Sequence, residues 1–433
     1  MFQRFILFNH VSFFVEDMKI QPTKIIRDGI LVLGITVLIF LSFEGILRLV
    51  YPDKMTTYPE QTMKEDLAYE YNDGYIVSLK PHIKKVFMRS QSNGGEKIEW
   101  YTNKNRFRGQ ELRGHHDARI MVYGDSNVLA RFSNLEETFP YKLEKYLREK
   151  TGKDIEVINA GVVGFGPDQS LIRFMQEADR YKPDIVIFHI FSDNDFGDII
   201  RNRLFELDST GELVTPGHWT KFLAFLSSLV STKAVHKMAE LISQRDGGEE
   251  EWQSKNQTIP KLFEVTEREY AVYKRRKPRT FSQFADHYDI DLALYPQSES
   301  AMTKINLMKA VLKKAKQFAD SKHIQFMVLI QPSSKDLTTN FKPNYEEFGK
   351  YPEYTRNGLT SLIEKMCAEN NIPQVNLFKV FLGHEPGHLF FKYDDDHWND
   401  SGEDVAAQET ANFISQHMLP VPKFISASVR APL

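Results

Sequence analysis

The sequence predicts an α/β protein built on a parallel sheet with helices on both faces. Short apolar runs alternate with helix-period segments from about residue 100 onward. Those runs are continuous rather than alternating, as strands buried on both faces must be. Polar turns follow the first three runs, where an open parallel sheet gathers its chemistry at the carboxyl ends of its strands. The 433 residues are 42% hydrophobic and 26% charged, an ordinary globular composition that excludes a mostly disordered or collagen-like chain.

The N-terminal part carries a different signal. Residues 29–43 (GILVLGITVLIFLSF) hold no charge, and apolar character continues to Val50. At 1.5 Å per residue, the stretch 29–50 is long enough to cross a hydrocarbon core of about 30 Å, so it is expected as a transmembrane anchor after a tail at 1–28. Glu44 and Arg48 stand near its end, where charges cost less. Lys19, Lys24 and Arg27 precede it against Lys54 and Lys64 after it, which leans towards a cytoplasmic N-terminus and an extracytoplasmic bulk. Residues 51–99 lack sustained periodicity and read as a spacer; 421–433 read as a C-terminal tail.

The α/β elements follow in order. Residues 119–123 (RIMVY) form a first strand ending in Gly124-Asp125-Ser126, and Thr138 before Phe139-Pro140 starts a helix. Strands are expected at 155–158, 184–190, 326–330 and 375–378, with helices at 168–180, 300–320 and 356–370 between them. The interval 200–298 breaks the rhythm and reads as a helical insertion. Within it lie an apolar stripe from Trp219 to Val230, a linker at 247–251 and a basic run, Lys274-Arg275-Arg276-Lys277-Pro278-Arg279. That run fits a solvated edge, a lid or a contact for an anionic lipid or polymer.

Net charge is −3, with 55 basic and 58 acidic residues, so no global basic field invites nucleic acid. A single cysteine, Cys367, excludes an intramolecular disulfide and a cysteine-rich zinc site. The polar signatures at the strand ends suggest chemistry instead. They are Gly124-Asp125-Ser126-Asn127, the turn from Asn159 to Gly166, Ser192-Asp193-Asn194-Asp195, and, after the fifth strand, Asp394-Asp395-Asp396-His397-Trp398-Asn399. A serine hydroxyl needs a base, which His397 can supply near neutral pH. The imidazole in turn needs a carboxylate on its other nitrogen, and both Asp394 and Asp395 are spaced for that role. Backbone N–H groups of Ser126 and Gly164 with the Asn194 amide would hold an oxyanion. Each signature has a plainer reading alone: a helix cap at Ser126, a turn at Asn194, a solvated acidic loop or cation site at 394–396. Gly161, Gly164 and Gly166 fail the dinucleotide pattern, and no Walker A motif is present.

These residues resemble the SGNH, or GDSL-type, hydrolases. Gly124-Asp125-Ser126 looks like the nucleophile block, Asn159 through Gly164 the block with the oxyanion glycine, Asn194-Asp195 the third block, and Asp394 through His397 the last. Tyr101-Thr102-Asn103 with Phe107-Arg108-Gly109 is similar to the lead-in of membrane-anchored bacterial members. The third block commonly has glycine where Ser192 stands. In the last, Asp394 fits D-x-x-H, while Asp395 fits the D-x-H-W variant of polysaccharide-modifying relatives. The resemblance implies a three-layer α/β/α sandwich over 100–420 with a five-stranded parallel sheet of flavodoxin-like order. It also implies a serine esterase acting, without metal or cofactor, on acetyl or other small acyl esters of a surface glycan, or next on a lipid ester. An O-acyltransferase served by a multispanning acyl-donor protein and a non-catalytic envelope-binding module are the competing readings.

Overall fold

A computed structural model describes residues 22–50, 68–72, 74–215, 258–275, 286–392 and 396–419. The chain divides into two compact units, 1–57 with 224–248 and 58–223 with 249–433. In the first, Pro22–Val50 is a helix of 29 residues whose described side chains, at 27–43, are exposed. Among the described residues no helix is long and apolar enough to cross a membrane; the side chains of 44–50, the end of the anchor expected at 29–50, lie outside the described residues.

The second unit holds the sheet. Two hairpins come first, β1 (Tyr69–Asn72) with β2 (Ile76–Leu79) and β3 (Lys84–Met88) with β4 (Lys97–Tyr101). They fall within and just beyond the stretch read as a spacer, of which 51–67 and Asp73 lie outside the described residues. The core strands are β5 (Ala118–Gly124), β6 (Ile155–Gly161) and β7 (Ile185–Phe191), followed after a small hairpin of β8 (Glu206–Leu207) and β9 (Leu213–Val214) by β10 (Gln325–Gln331) and β11 (Gln374–Asn376). Their order is β11-β10-β7-β5-β6 with every neighbour parallel, the flavodoxin-like order expected.

Strand periodicity explains the layers. Met121 and Tyr123 of β5 enter one core with Phe174 of helix Pro167–Tyr181 and Leu307 of helix Glu299–Ser321. Ile120 and Val122 enter the other with Leu143 of helix Phe139–Thr151 and Ala407 of helix Asp400–His417. Successive side chains point to opposite faces, so one strand feeds both cores. β11 is shorter than expected because the Asn376 side chain accepts the Phe378 N–H at 2.9 Å and starts helix Leu377–Leu382. The stripe 219–230, the linker 247–251 and basic positions 276–279 lie outside the described residues. Lys274 of the basic run pairs with Glu299 at 3.0 Å.

Beside β10, Asp336 is buried and accepts hydrogen bonds from Tyr288 at 2.9 Å and Tyr354 at 2.8 Å, both on Oδ1. Burial pushes its carboxyl up to about 7, against the lowering effect of those two donors. The fold therefore prefers the neutral acid: this contribution to stability is complete below about pH 4 and is lost as pH rises through 7. Asp336→Asn keeps the Oδ1 acceptor and never ionises. Its melting temperature relative to wild type is expected to be higher at pH 8 than at pH 5, and an equal difference at both would refute the assignment.

Candidate active site

Flavodoxin-like order reverses direction between β5 and β7, and the crevice at their carboxyl ends is where such sheets bind ligands. β5 ends at Gly124, where a Cβ would lie 2.6 Å from Val128 Cγ2 and 2.9 Å from His189 Cβ. Asp125 then caps the short helix Ser126–Leu129, its carboxylate accepting Asn127 N at 2.9 Å. The hydroxyl of Ser126 is thus delivered at the rim, with Asp125 bracing the turn rather than reacting.

Helix Asp400–His417 positions the second group from 271 residues away. Asn399 caps that helix through Ser401 N and Gly402 N, and donates to the carbonyls of His388 and Phe390 at 2.9 and 3.0 Å. Trp398 is buried, donates to Asn127 O at 3.1 Å and stacks on Phe139. The loop is therefore tied to the nucleophile turn itself, and His397 Nε2 comes to 2.6 Å from Ser126 Oγ. That is hydrogen-bond distance for a base poised to take the hydroxyl proton.

The third member of a triad is less direct. Asp394 and Asp395 lie outside the described residues. Asp396 is half-buried with Oδ1 3.8 Å from His397 Nδ1, beyond hydrogen-bond length, and Oδ2 3.8 Å from Lys335 Nζ.

The three donors expected for an oxyanion are uncommitted. Among the described residues the N–H groups of Ser126 and Gly164 and the carboxamide of Asn194 make no hydrogen bond. Gly164 has φ +66 and nothing within 4 Å of where a Cβ would sit, so its backbone is open to a ligand. Gly161 is the opposite case, since a Cβ there would meet Leu129 N at 2.4 Å. Asn194 is 8% exposed, and Arg201 donates to its carbonyl at 3.0 Å. Ser192 has no left-handed backbone, so that turn does not demand a glycine.

Sequence reasoning missed two supports. Beneath the nucleophile His189 Nε2 meets Gln331 Oε1 at 2.7 Å, Gln331 donates to Asn127 Oδ1 at 3.1 Å, and Asn127 donates to Asp125 Oδ2 at 3.1 Å. Burial lowers the His189 pKa against the raising effect of Asp125, and the chain of hydrogen bonds runs from His189 to Asp125. The second support comes from the supposed spacer. Arg89 bonds Asp400 at 2.9 Å and the Phe132 carbonyl at 3.3 Å, and lies over the Phe391 ring. Phe87 meets Phe132, whose ring in turn meets His397 edge-on at 6.2 Å. Only the alternation of a short strand at 84–88 could have signalled this.

Among the described residues no cluster of His, Cys, Asp or Glu is arranged to hold a metal ion. No family model and no curated protein matches the chain. Solved structures similar to it include a psychrotrophic esterase, EstA, from Pseudoalteromonas sp. (13% identity, 70% of this chain and 100% of that one, TM-score 0.35). A lipase/acylhydrolase from Enterococcus faecalis gives 12% identity, 69% and 96% coverage, and TM-score 0.34. A variant acetyl xylan esterase from Geobacillus stearothermophilus gives 11%, 69% and 94%, and TM-score 0.35. At such low identity and overlap, the chemistry is read from the site's own atoms.

Proposed function

We propose that this protein is a serine-dependent ester hydrolase of the SGNH type. The observation that carries the reading is the 2.6 Å approach of Ser126 Oγ and His397 Nε2 at the point where the sheet order reverses. In the reaction His397 removes the hydroxyl proton as Oγ attacks the ester carbonyl carbon. The tetrahedral oxyanion is held by Ser126 N–H, Gly164 N–H and the Asn194 amide, each donor contributing about 3 kcal/mol to the transition state. His397 returns the proton to the leaving alkoxide, and water then resolves the acyl-enzyme by the same steps in reverse. Asp394 or Asp395 would orient the imidazole. An acetyl or other small acyl ester on a glycan is the substrate class the family resemblance suggests.

A fluorophosphonate probe tests this. Ser126 is expected to be the labelled residue by peptide mass spectrometry, and Ser126→Ala to be unlabelled. A folded wild type that resists the probe would favour the envelope-binding module. Product analysis with an acceptor sugar present would reveal acyl transfer as a new sugar ester.

A further inference from the structure

Lys335 is a buried cation that the mechanism above does not use. It follows β10 in a short helix, Ser334–Leu337, capped by Ser333, whose Oγ accepts Lys335 N at 3.1 Å and donates to Asp193 Oδ2. Lys335 is 6% exposed, with Nζ 3.1 Å from Asp193 Oδ2 and 3.8 Å from Asp396 Oδ2. Asp193 immediately precedes the oxyanion candidate Asn194, and Asp396 immediately precedes the base His397. One ammonium therefore touches both loops one residue away from their reacting groups.

We propose that Lys335 is a positioning residue that holds the oxyanion loop at 193–194 and the base loop at 396–397 in a single working geometry. The inference rests on the serine-esterase reading of the site. An ammonium is costly to bury unless it is well paired. Burial alone would lower the Lys335 pKa, and Asp193 and Asp396 more than reverse that, so the side chain stays charged. Its other neighbours leave it little freedom. Tyr288 lies under Nζ at 5.9 Å, and the Tyr288 hydroxyl is held by Asp336. The oxyanion loop follows β7, the base loop lies in the segment after β11, and Lys335 follows β10, so this contact joins three separate parts of the chain. A strut at that place sets the distance between the donor for the oxyanion and the base. A displacement of about 1 Å in such geometry costs roughly 10²-fold in rate.

The test uses the full chain and p-nitrophenyl acetate. Lys335→Met is expected to lower kcat by about 10²-fold while KM changes less than about twofold, because ground-state binding does not need the two loops in register. Lys335→Arg, which keeps a cation on both carboxylates, is expected to restore most of kcat. A buried pair that served stability alone would show lower melting temperature with unchanged kcat. If Lys335→Met does not fold, Lys335→Met with Asp193→Asn removes both charges together, and kcat is still expected to be low. Wild-type kcat in either folded variant overturns the proposal. A wild type that neither turns over nor reacts with the fluorophosphonate overturns the esterase reading and this role with it. An active wild type beside an equally active Lys335→Met overturns the role alone.

Discussion

His397→Ala is expected to lower kcat for p-nitrophenyl acetate by at least about 10⁴-fold with the fold intact, the loss typical of removing the base of such a pair. The reason is that among the described residues no second base is placed at the hydroxyl. Ser126 Oγ has His397 Nε2 at 2.6 Å, and the other imidazole of this region, His189, is buried with Nε2 committed to Gln331. Asp396 lies 3.8 Å from the far side of the His397 ring and belongs to the Lys335 pair. Residual turnover within tenfold of wild type, with circular dichroism and melting temperature unchanged, would show that another group deprotonates the serine.

Lys304→Met is expected to destabilise the sheet unit by about 3–5 kcal/mol, the cost of stranding a buried charge after its partner is removed. Lys304 is fully buried, with Nζ 2.8 Å from Asp289 and 2.9 Å from Asp291. Asp289 also accepts Gly197 N at 3.0 Å and donates its own N–H to Asp193 O at 2.7 Å, so this charge cluster anchors the loop that carries Asn194. Domains of this kind are stable by only about 5–15 kcal/mol, which makes the loss visible in urea unfolding. Burial holds the Asp289 carboxyl up at about 6 even with Lys304 beside it. Below that pH the stranded group takes a proton and the charge disappears. The deficit should therefore be smaller at pH 5 than at pH 8. A deficit under 1 kcal/mol at pH 8 would mean that water reaches the cluster.

Much of this architecture was legible before any coordinates. Continuous apolar runs such as 184–190 identify buried strands because a residue with no polar face has nowhere else to go, and β7 lies within one residue of that expectation at each end. The glycines at 124 and 164 stood in the motifs by which the chain resembles its family, and the structure supplies their reasons: one admits no side chain, and the other takes a left-handed backbone. The hairpin β3–β4 was hidden because its five-residue strands are too short for periodicity to separate from loop. The apolar run near the N-terminus was legible as a helix, and Pro22–Val50 is one.

Local sequence determined the strands, the helix starts and the turns that hold Ser126 and His397, because periodicity and capping act over a few residues. Tertiary structure alone decided which distant groups meet: the 2.6 Å contact across 271 residues, the relay under Asp125, Arg89 over the base loop, and Lys335 between two loops. Charge pairs and ring contacts of that kind depend on strand order and packing in three dimensions, and strand order is a property of the whole sheet rather than of any segment in it.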